Sequence, residues 1–387
     1  MHLLSKISAL LALSLAQQKL SSAEEIGNNE FNKWISKHNK EHYHQNQKEY
    51  QKRLNIFQNN AHIVQRHNDA YEQGLTSYAM SLDSPFSDFT DEEFHSLYLM
   101  DSQNCSATHT SSGPLQFKNT DLPKSMDWRT KGIITPVKNQ KDCGSCWTFS
   151  TTGTLEAYTC MHNPSIDCTK WTGLAEQQLL DCASDFDNHG CNGGLPSHAF
   201  EYIKFAGGID TEESYPYHAT DEGPCLKSFK TYGAHVAEIY NITSGDEDDL
   251  VNAIGLVGPV SVAYDVSPDF RFYSHGVYDS YNSTTNQIMC KFDALHVNHA
   301  VVAVGYGETE ATENKESIPF FIIRNSWSTS WGMEGYFWIK RGENLCGISD
   351  CASFPIVPIG KEKLGNGKLL DGESTQLART STLRKRG

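Results

Sequence analysis

The stretch that decides the fold is Gln140-Lys-Asp-Cys-Gly-Ser-Cys-Trp147, which leads into a helical pattern from Ser145 to Cys160. Its second cysteine, Cys146, is expected at the N-terminus of that helix. The positive end of the helix dipole lowers the pKa of a thiol there, and the thiolate is the form that attacks a carbonyl carbon. Cys146 is therefore the candidate nucleophile.

Two other interpretations apply to the same cysteines. Cys143 and Cys146 could form an ordinary bridge, or a C-x-x-C redox pair of a thiol-disulfide oxidoreductase. The redox interpretation requires a short βαβ domain around the motif. Here a histidine and an asparagine that could serve the thiol, His299 and Asn325, follow far downstream in a region of different composition.

Each candidate residue has a specific chemical task. His299 would take the thiol proton and later protonate the leaving amine, and Asn325 would hold the imidazole in the productive tautomer. Gln140 would donate its side-chain amide to the oxyanion, with the backbone N–H of Cys146 as the second donor. Trp327 would cover the His299–Asn325 hydrogen bond and exclude water.

These residues belong to a longer resemblance. Residues 122–358 resemble a papain-family catalytic domain throughout, in particular at Ser125-Met-Asp-Trp128, Cys191-Asn-Gly-Gly194 and Asn325-Ser-Trp-Ser-Thr-Ser-Trp331-Gly332. The resemblance implies an α+β, papain-like two-lobe fold. A helical left lobe and a β-barrel right lobe would enclose the active-site cleft, and a helical inhibitory prodomain would precede them.

The same resemblance implies further site residues. It implies the disulfides Cys143–Cys191, Cys182–Cys225 and Cys290–Cys346. Gly194 would contact the second substrate residue through its backbone, beside Leu195 in the substrate site. Ser328 stands where the family usually has glycine, so a local adjustment of the backbone is expected.

Local patterns predict the elements of the fold. Residues spaced for one face of a helix predict a long amphipathic helix from Gln47 to Tyr71. Shorter helices are predicted over Phe31–His38, Ala175–Leu180 and His198–Phe205. Runs of β-branched and aromatic residues predict strands at 260–266, 300–305, 320–323 and 336–339.

The segment before the peptidase resembles a papain-family propeptide. Glu49, Arg53, Phe57, Asn60, Val64 and Asn68 follow the helical ERFNIN pattern, and Phe86-Ser-Asp88 resembles the end of the next propeptide motif. Leu82 and Ser84 replace the usual glycine and asparagine of that motif. A propeptide laid through the cleft would silence the nucleophile during secretion, and several of its histidines would become charged near pH 5–6. We therefore expect activation by acid.

One further motif, Asp101-Ser-Gln-Asn-Cys-Ser-Ala-Thr108, resembles the mini-chain of cathepsin H and the plant aleurains. The resemblance implies a Cys105–Cys351 bridge that keeps this octapeptide on the enzyme. A free carboxylate at Thr108 would then meet the α-ammonium group of a substrate. Proximity along the chain alone pairs Cys160 with Cys168. The alternative to the tether is that Cys105 bridges elsewhere or stays free in a discarded propeptide.

The whole chain reads as a secreted precursor. A signal peptide (1–16) precedes a propeptide (17–121) with a prodomain at about 30–90 and the mini-chain at 101–108, then the peptidase domain (122–359) and a tail (360–387) expected to be disordered. The formal charge of −15 argues against nucleic acid, and no later run is apolar enough for a membrane anchor. Glycosylation sequons stand at Asn104, Asn241 and Asn282.

The sequence thus predicts a secretory-route cysteine peptidase, made as a zymogen and acting as a cathepsin H-like aminopeptidase. We expect peptides and proteins as substrates, the propeptide as inhibitor, no cofactor or metal, and a monomer in a lysosome or vacuole, with an extracellular destination as the alternative. The competing functions are a cathepsin L-like endopeptidase without a retained mini-chain, a thiol-disulfide oxidoreductase, and a catalytically dead binding or storage protein.

Overall fold

The computed structural model describes residues 27–105, 122–226, 232–282, 285, 287–311 and 316–358. The predicted signal peptide, Thr108 and the predicted tail lie outside these ranges. Among the described residues, no helix is long and apolar enough to cross a membrane.

The prodomain is a small helical unit with one strand. Its elements are α1 (27–37), a 3-10 helix (Glu41–Gln45), α2 (Gln47–Glu72), β1 (Tyr78–Met80) and α3 (Asp91–Tyr98). A core of its own joins α1 to α2 through Phe31, Trp34, Ile35, Tyr43, Leu54 and Phe57. Farther along, Val64, Tyr78, Phe86 and Phe94 belong to the same core as the peptidase. The prodomain is therefore anchored in the enzyme by shared apolar burial.

Helix α2 confirms the predicted long amphipathic helix. Its buried face includes a polar residue, Asn60. The Asn60 side-chain amide donates to the backbone oxygens of Ser87 and Phe89, both at 2.9 Å. A buried amide costs little when its hydrogen bonds are satisfied, so this polar residue ties α2 to the following turn.

The peptidase begins on its helical side. Its helices are α4 (Cys146–His162), α5 (Glu176–Cys182), α6 (Pro196–Ala206) and α7 (Glu247–Leu256), with 3-10 helices at Trp128–Lys131, Ser184–Phe186, Gly190–Asn192, Pro268–Phe272 and Leu345–Gly347. Helix α4 is buried along almost its whole length. It packs against α5 and α6 on one side and against the β lobe on the other, which places its N-terminus between the lobes.

In the part of the chain that the structure describes, the strands of the peptidase form one large, mainly antiparallel sheet and two separate two-stranded sheets. They are β2 (Met126–Asp127), β3 (Ile209–Asp210), β4 (Tyr232–Ala234), β5 (Glu238–Asn241), β6 (Val260–Tyr264), β7 (Tyr273–Tyr278), β8 (Tyr281–Asn282), β9 (Gln287–Ile288), β10 (His299–Glu308), β11 (Pro319–Arg324), β12 (Tyr336–Lys340) and β13 (Cys351–Ile356). The two-stranded sheets pair β3 with β4 and β8 with β9. The order in the large sheet is β1-β7-β12-β11-β10-β6-β13-β5, and β2 pairs with β10. These strands form the β lobe that was predicted as a barrel. In the described residues no hydrogen-bonded pairing joins the two edge strands, β1 and β5.

Strand β1 of the prodomain completes the edge of this sheet. It pairs antiparallel with β7, with Tyr78 opposite Gly276. At Gly276, where φ is +92°, an added Cβ would lie 2.5 Å from the oxygen of Ser77. Only glycine lets the prodomain backbone approach this closely.

The predicted helices and strands of the peptidase are confirmed with small shifts of their ends. Two helices were missed, α3 and α7. Both are short and acidic in the first turn, and each begins at a side-chain cap, Thr90 for α3 and Asp246 for α7. In α3, Thr90 and Glu93 form a capping box, which is the sequence signal that could have revealed this helix.

Candidate active site

The candidate nucleophile, Cys146, is the first residue of α4. Cys146 is fully buried and is the free cysteine of the chain. Its Sγ accepts a hydrogen bond from the backbone N–H of Ala300 at 3.3 Å, which brings α4 against the start of β10. The residue before Ala300 is His299, so the imidazole is carried on the same strand end as the group that contacts the thiol.

His299 and Asn325 meet because β10 and β11 are antiparallel neighbours. The Nε2 of His299 and the Oδ1 of Asn325 are 2.8 Å apart. The Trp327 ring stacks on the imidazole, with centroids 4.6 Å apart, and covers this hydrogen bond. The other ring nitrogen, Nδ1, has no hydrogen-bond partner in the described residues. This arrangement leaves Nδ1 available to accept the thiol proton.

Hydrogen bonds fix the side chain of Gln140 at the start of the loop that leads to Cys146. Its Nε2 donates to the oxygen of Cys143 at 2.9 Å, and its Oε1 accepts from the Ser326 hydroxyl at 2.7 Å. The Tyr217 hydroxyl donates to the backbone oxygen of Gln140 at 2.6 Å and lies 2.6 Å from the hydroxyl of Ser145. The sequence analysis assigned no role to Ser326 or Tyr217, because no sequence motif predicts their contacts with Gln140.

The prodomain occupies the site. Gln140 Nε2 also donates to the backbone oxygen of Tyr98 at 2.9 Å, so a propeptide carbonyl occupies the donor that the sequence predicts for the oxyanion. At Gly144, an added Cβ would lie 2.8 Å from the oxygen of Leu99, so the chain passes directly over the loop before the nucleophile. The chain then leaves along the cleft. The N–H of Met100 donates to Asn298 O at 2.9 Å.

Residues 101–105 continue along one arm of the cleft. Gln103 forms an antiparallel bridge with Val297, and its side chain approaches Gly193. Cys105 is bonded to Cys351, with Cα atoms 5.4 Å apart. This arm holds Gly193 and the neighbouring Gly194, where the sequence predicts contact with the acyl side of a substrate. The opposite arm, beside Trp327, is then the one expected to receive the leaving group.

The substrate residues named from the sequence have different surroundings. At Gly194 an added Cβ would lie 2.4 Å from Asn188 Oδ1, so this position accepts only glycine while Asn188 keeps its place. Leu195 is buried and lines a cavity of about 170 Å³ together with Cys105 and Cys351. Thr108 lies outside the described residues.

The structure contains five disulfides, namely Cys105–Cys351, Cys143–Cys191, Cys160–Cys168, Cys182–Cys225 and Cys290–Cys346. Because Cys143 bonds to Cys191, the C-x-x-C pair with Cys146 does not form. This geometry removes the redox-pair interpretation of the motif.

The pKa values of Cys146 and His299 differ from those expected for an activated thiolate and its imidazolium partner. Burial raises the pKa of Cys146 to about 12, although backbone N–H groups at Ala300, Trp147 and Cys146 lower it. Burial also lowers the pKa of His299 to about 4, against the raising effect of its hydrogen bond to Asn325. In the zymogen, desolvation outweighs these hydrogen bonds for both groups and favours a neutral thiol and a neutral imidazole.

Ser328 keeps the backbone conformation that glycine favours, so the adjustment expected from its place in the family motif is not observed. It adopts φ +69°, a left-handed conformation that disfavours any residue with a Cβ. Its N–H donates to the oxygen of Lys138 at 3.1 Å. The loop thus keeps a glycine-like path with a serine in it.

The fold and site define a papain-family cysteine protease, and comparison with known families agrees. Residues 122–356 match the papain family cysteine protease model, and residues 31–94 match the cathepsin propeptide inhibitor domain (I29). The chain belongs to the papain family of cysteine proteases, and it is a zymogen that carries its own inhibitory propeptide.

Particular relatives are similar along most of the chain. A thiol protease aleurain-like protein of Arabidopsis thaliana is 46% identical over 314 residues, covering 81% of this chain and 80% of the relative. Pro-cathepsin H of Bos taurus is 44% identical over 335 residues, covering 84% and 89%. Among solved structures, digestive procathepsin L2 proteinase of Tenebrio molitor aligns with a TM-score of 0.74 at 33% identity, covering 85% of this chain and 99% of that one.

Proposed function

We propose that the mature enzyme is an aminopeptidase of the cathepsin H kind, and that residues 101–108 stay on it after activation. The observation that carries this proposal is the Cys105–Cys351 disulfide. It ties a propeptide segment to the acyl side of the cleft, where an aminopeptidase has to block the path of a longer substrate. The catalytic roles proposed are Cys146 as nucleophile, His299 as base and acid, Asn325 as its support and Gln140 in the oxyanion hole.

The disulfide at Cys105 would hold the segment in the cleft, and a free C-terminus at Thr108 would carry a negative charge. A cut after Thr108 would create a carboxylate on a segment held a few residues away at Cys105. The α-amino group of a peptide has a reference pKa of about 7.7–8.0, so it is charged at acid pH and attracted to that carboxylate. A covalent tether keeps the segment at an effective concentration in the millimolar range, which free octapeptide would not reach.

Mass spectrometry of the non-reduced mature enzyme tests retention directly. We expect a peptide with Cys105 linked to one with Cys351. The functional test is Cys105→Ser, which should lower cleavage of substrates with a free amino terminus and raise cleavage of blocked internal peptides. Cys160→Ser removes a different disulfide and serves as the control. An unchanged preference in Cys105→Ser would reject the tether and favour an endopeptidase.

We further propose an acidic organelle, a lysosome or vacuole, as the destination, with carbohydrate on Asn104, Asn241 and Asn282. Relatives named aleurain-like and pro-cathepsin H support this compartment. Immunolocalisation with a tag on the peptidase checks the destination. Label found only in the medium would contradict it and support an extracellular enzyme.

A further inference from the structure

Arg271 is a buried cation of the peptidase whose side-chain partners come from the prodomain. Its side chain is 1% exposed, and its Nη1 forms an ion pair with Asp91 at 2.6 Å. Its Nη2 donates to Asn60 Oδ1 at 3.3 Å. In the described part of the peptidase, the contacts of its side chain are a hydrogen bond to the oxygen of Pro268 and the face of the Phe272 ring, 4.2 Å from the guanidinium carbon. Its Nε has no partner in the described residues.

The position of Arg271 is on the leaving-group arm of the cleft. The ring of the preceding residue, Phe270, lies 5.9 Å from that of Trp327. The indole N–H of Trp331 donates to the backbone oxygen of Arg271 at 3.0 Å. Trp327 stacks on His299, the group that protonates the departing amine. Arg271 is therefore fixed to the tryptophans that flank the leaving group.

Activation leaves this guanidinium without its acidic partner. When the prodomain departs, Asp91 and Asn60 go with it. Asp269 lines the same cavity of about 270 Å³ and attracts the guanidinium, but it accepts hydrogen bonds from the hydroxyls of Ser267 and of Tyr78 in the prodomain and makes no ion pair with Arg271 in the described residues. A guanidinium with several unpaired donors is suited to a carboxylate, which it binds with two parallel hydrogen bonds.

We propose that Arg271 of the mature enzyme binds a carboxylate on the leaving-group side of the substrate, and that Asp91 occupies its place in the zymogen. The carboxylate is either an acidic side chain or the free C-terminus of a short peptide. Recognition at this arm is separate from the acyl arm, so it applies to an aminopeptidase and to an endopeptidase alike.

The test uses active-site-titrated mature enzyme and amidated peptides with Glu or Gln at each of the three positions after the scissile bond. A hydrogen-bonded charge pair predicts about a tenfold higher kcat/KM for Glu at one of these positions. Raised salt should reduce the difference, because the pair becomes accessible to ions. A second set compares free-acid with amidated Gln peptides and so distinguishes the C-terminus from a side chain.

Arg271→Gln should abolish the preference. Arg129→Gln is the matched control, because Arg129 pairs within the peptidase with Asp127 at 2.8 Å, and it should retain the preference. Wild-type enzyme with no preference for any carboxylate, or a preference that survives in Arg271→Gln, overturns the proposal. If Arg271→Gln does not mature, the wild-type comparison decides alone.

The peptides are made with free and with acetylated amino termini. The ratio of Glu to Gln is read within whichever series the enzyme cleaves. If the aminopeptidase proposal fails, the enzyme cleaves the acetylated peptides. If the Arg271 proposal fails, the kcat/KM values for Glu and Gln peptides are equal in whichever series is cleaved.

Discussion

The contact between Phe94 of the prodomain and Trp327 of the peptidase should decide how tightly the zymogen is closed. Phe94 is 1% exposed, and its ring lies edge-on to Trp327 with centroids 5.3 Å apart. It also packs against Phe86 and Tyr98, the residue whose oxygen takes the Gln140 amide. Loss of this ring removes the apolar support behind the blocked oxyanion site.

The magnitude follows from burial. Truncation of a buried phenylalanine to alanine costs about 3–5 kcal/mol. Phe94 contacts both the prodomain and the peptidase. We therefore take the lower end, about 3 kcal/mol, as the loss in the free energy of docking of the prodomain on the peptidase. At about 1.4 kcal/mol per factor of ten, the open fraction of the zymogen should rise on the order of a hundredfold.

The assay is the rate at which a fluorescent peptidyl epoxide labels Cys146 in the zymogen at pH 7.5. Labelling requires an open cleft, since the thiol is buried and its pKa is raised to about 12 in the closed form. Phe94→Ala should label about a hundredfold faster than wild type. Leu75→Ala, at a prodomain residue that is 58% exposed, should label at the wild-type rate. A Phe94→Ala rate within threefold of wild type would refute the argument.

Three further changes test other parts of the structure. Burial lowers the pKa of His67, which is bonded to Tyr78 O at 2.9 Å, so docking is favoured above pH 6.5 and weakens below it. His67→Gln should therefore make acid conversion of the zymogen, followed by gel between pH 7.5 and 5, less steep. Tyr217→Phe loosens Gln140 and should lower kcat about fivefold, while alkylation of the mature thiol by iodoacetamide, which needs no oxyanion hole, stays unchanged. Ser328→Gly relieves a left-handed serine and should raise the melting temperature by about 2–4 °C.

Each of these predictions has an outcome that contradicts it. Conversion at equal rates at pH 7.5 and pH 5 would reject acid control altogether, and His42→Gln, at an exposed histidine, is the control for His67. Parallel losses of hydrolysis and alkylation in Tyr217→Phe would indicate general damage, with Tyr215→Phe as the control, because its hydroxyl bonds to Asp181 instead. A lower melting temperature in Ser328→Gly would show that the serine side chain stabilises the loop.

Some elements were predictable because their signals are local. The α2 helix follows from residues three and four apart, and the strands follow from short β-branched runs. Helix α3 was missed because it is short and mostly polar, and its capping box is its main local signal. Helix α7 was missed although Leu250, Val251 and Ile254 follow its Asp246 cap at helical spacing, so its pattern was present in the sequence. Strand β1 has only three residues and is defined by its pairing with β7, so no local sequence pattern predicts it.

The sequence by itself determined the family, and the types and order of Gln140, Cys146, His299 and Asn325 predict its chemistry, a thiol nucleophile with its base and oxyanion donor. Only the tertiary structure decided the state of that chemistry. The neutral thiol and imidazole, the Tyr98 oxygen on Gln140 and the pairing of Arg271 with Asp91 depend on burial between segments distant in the chain. A pKa is set by the surroundings that exclude water, and those surroundings exist only after folding brings prodomain and peptidase together.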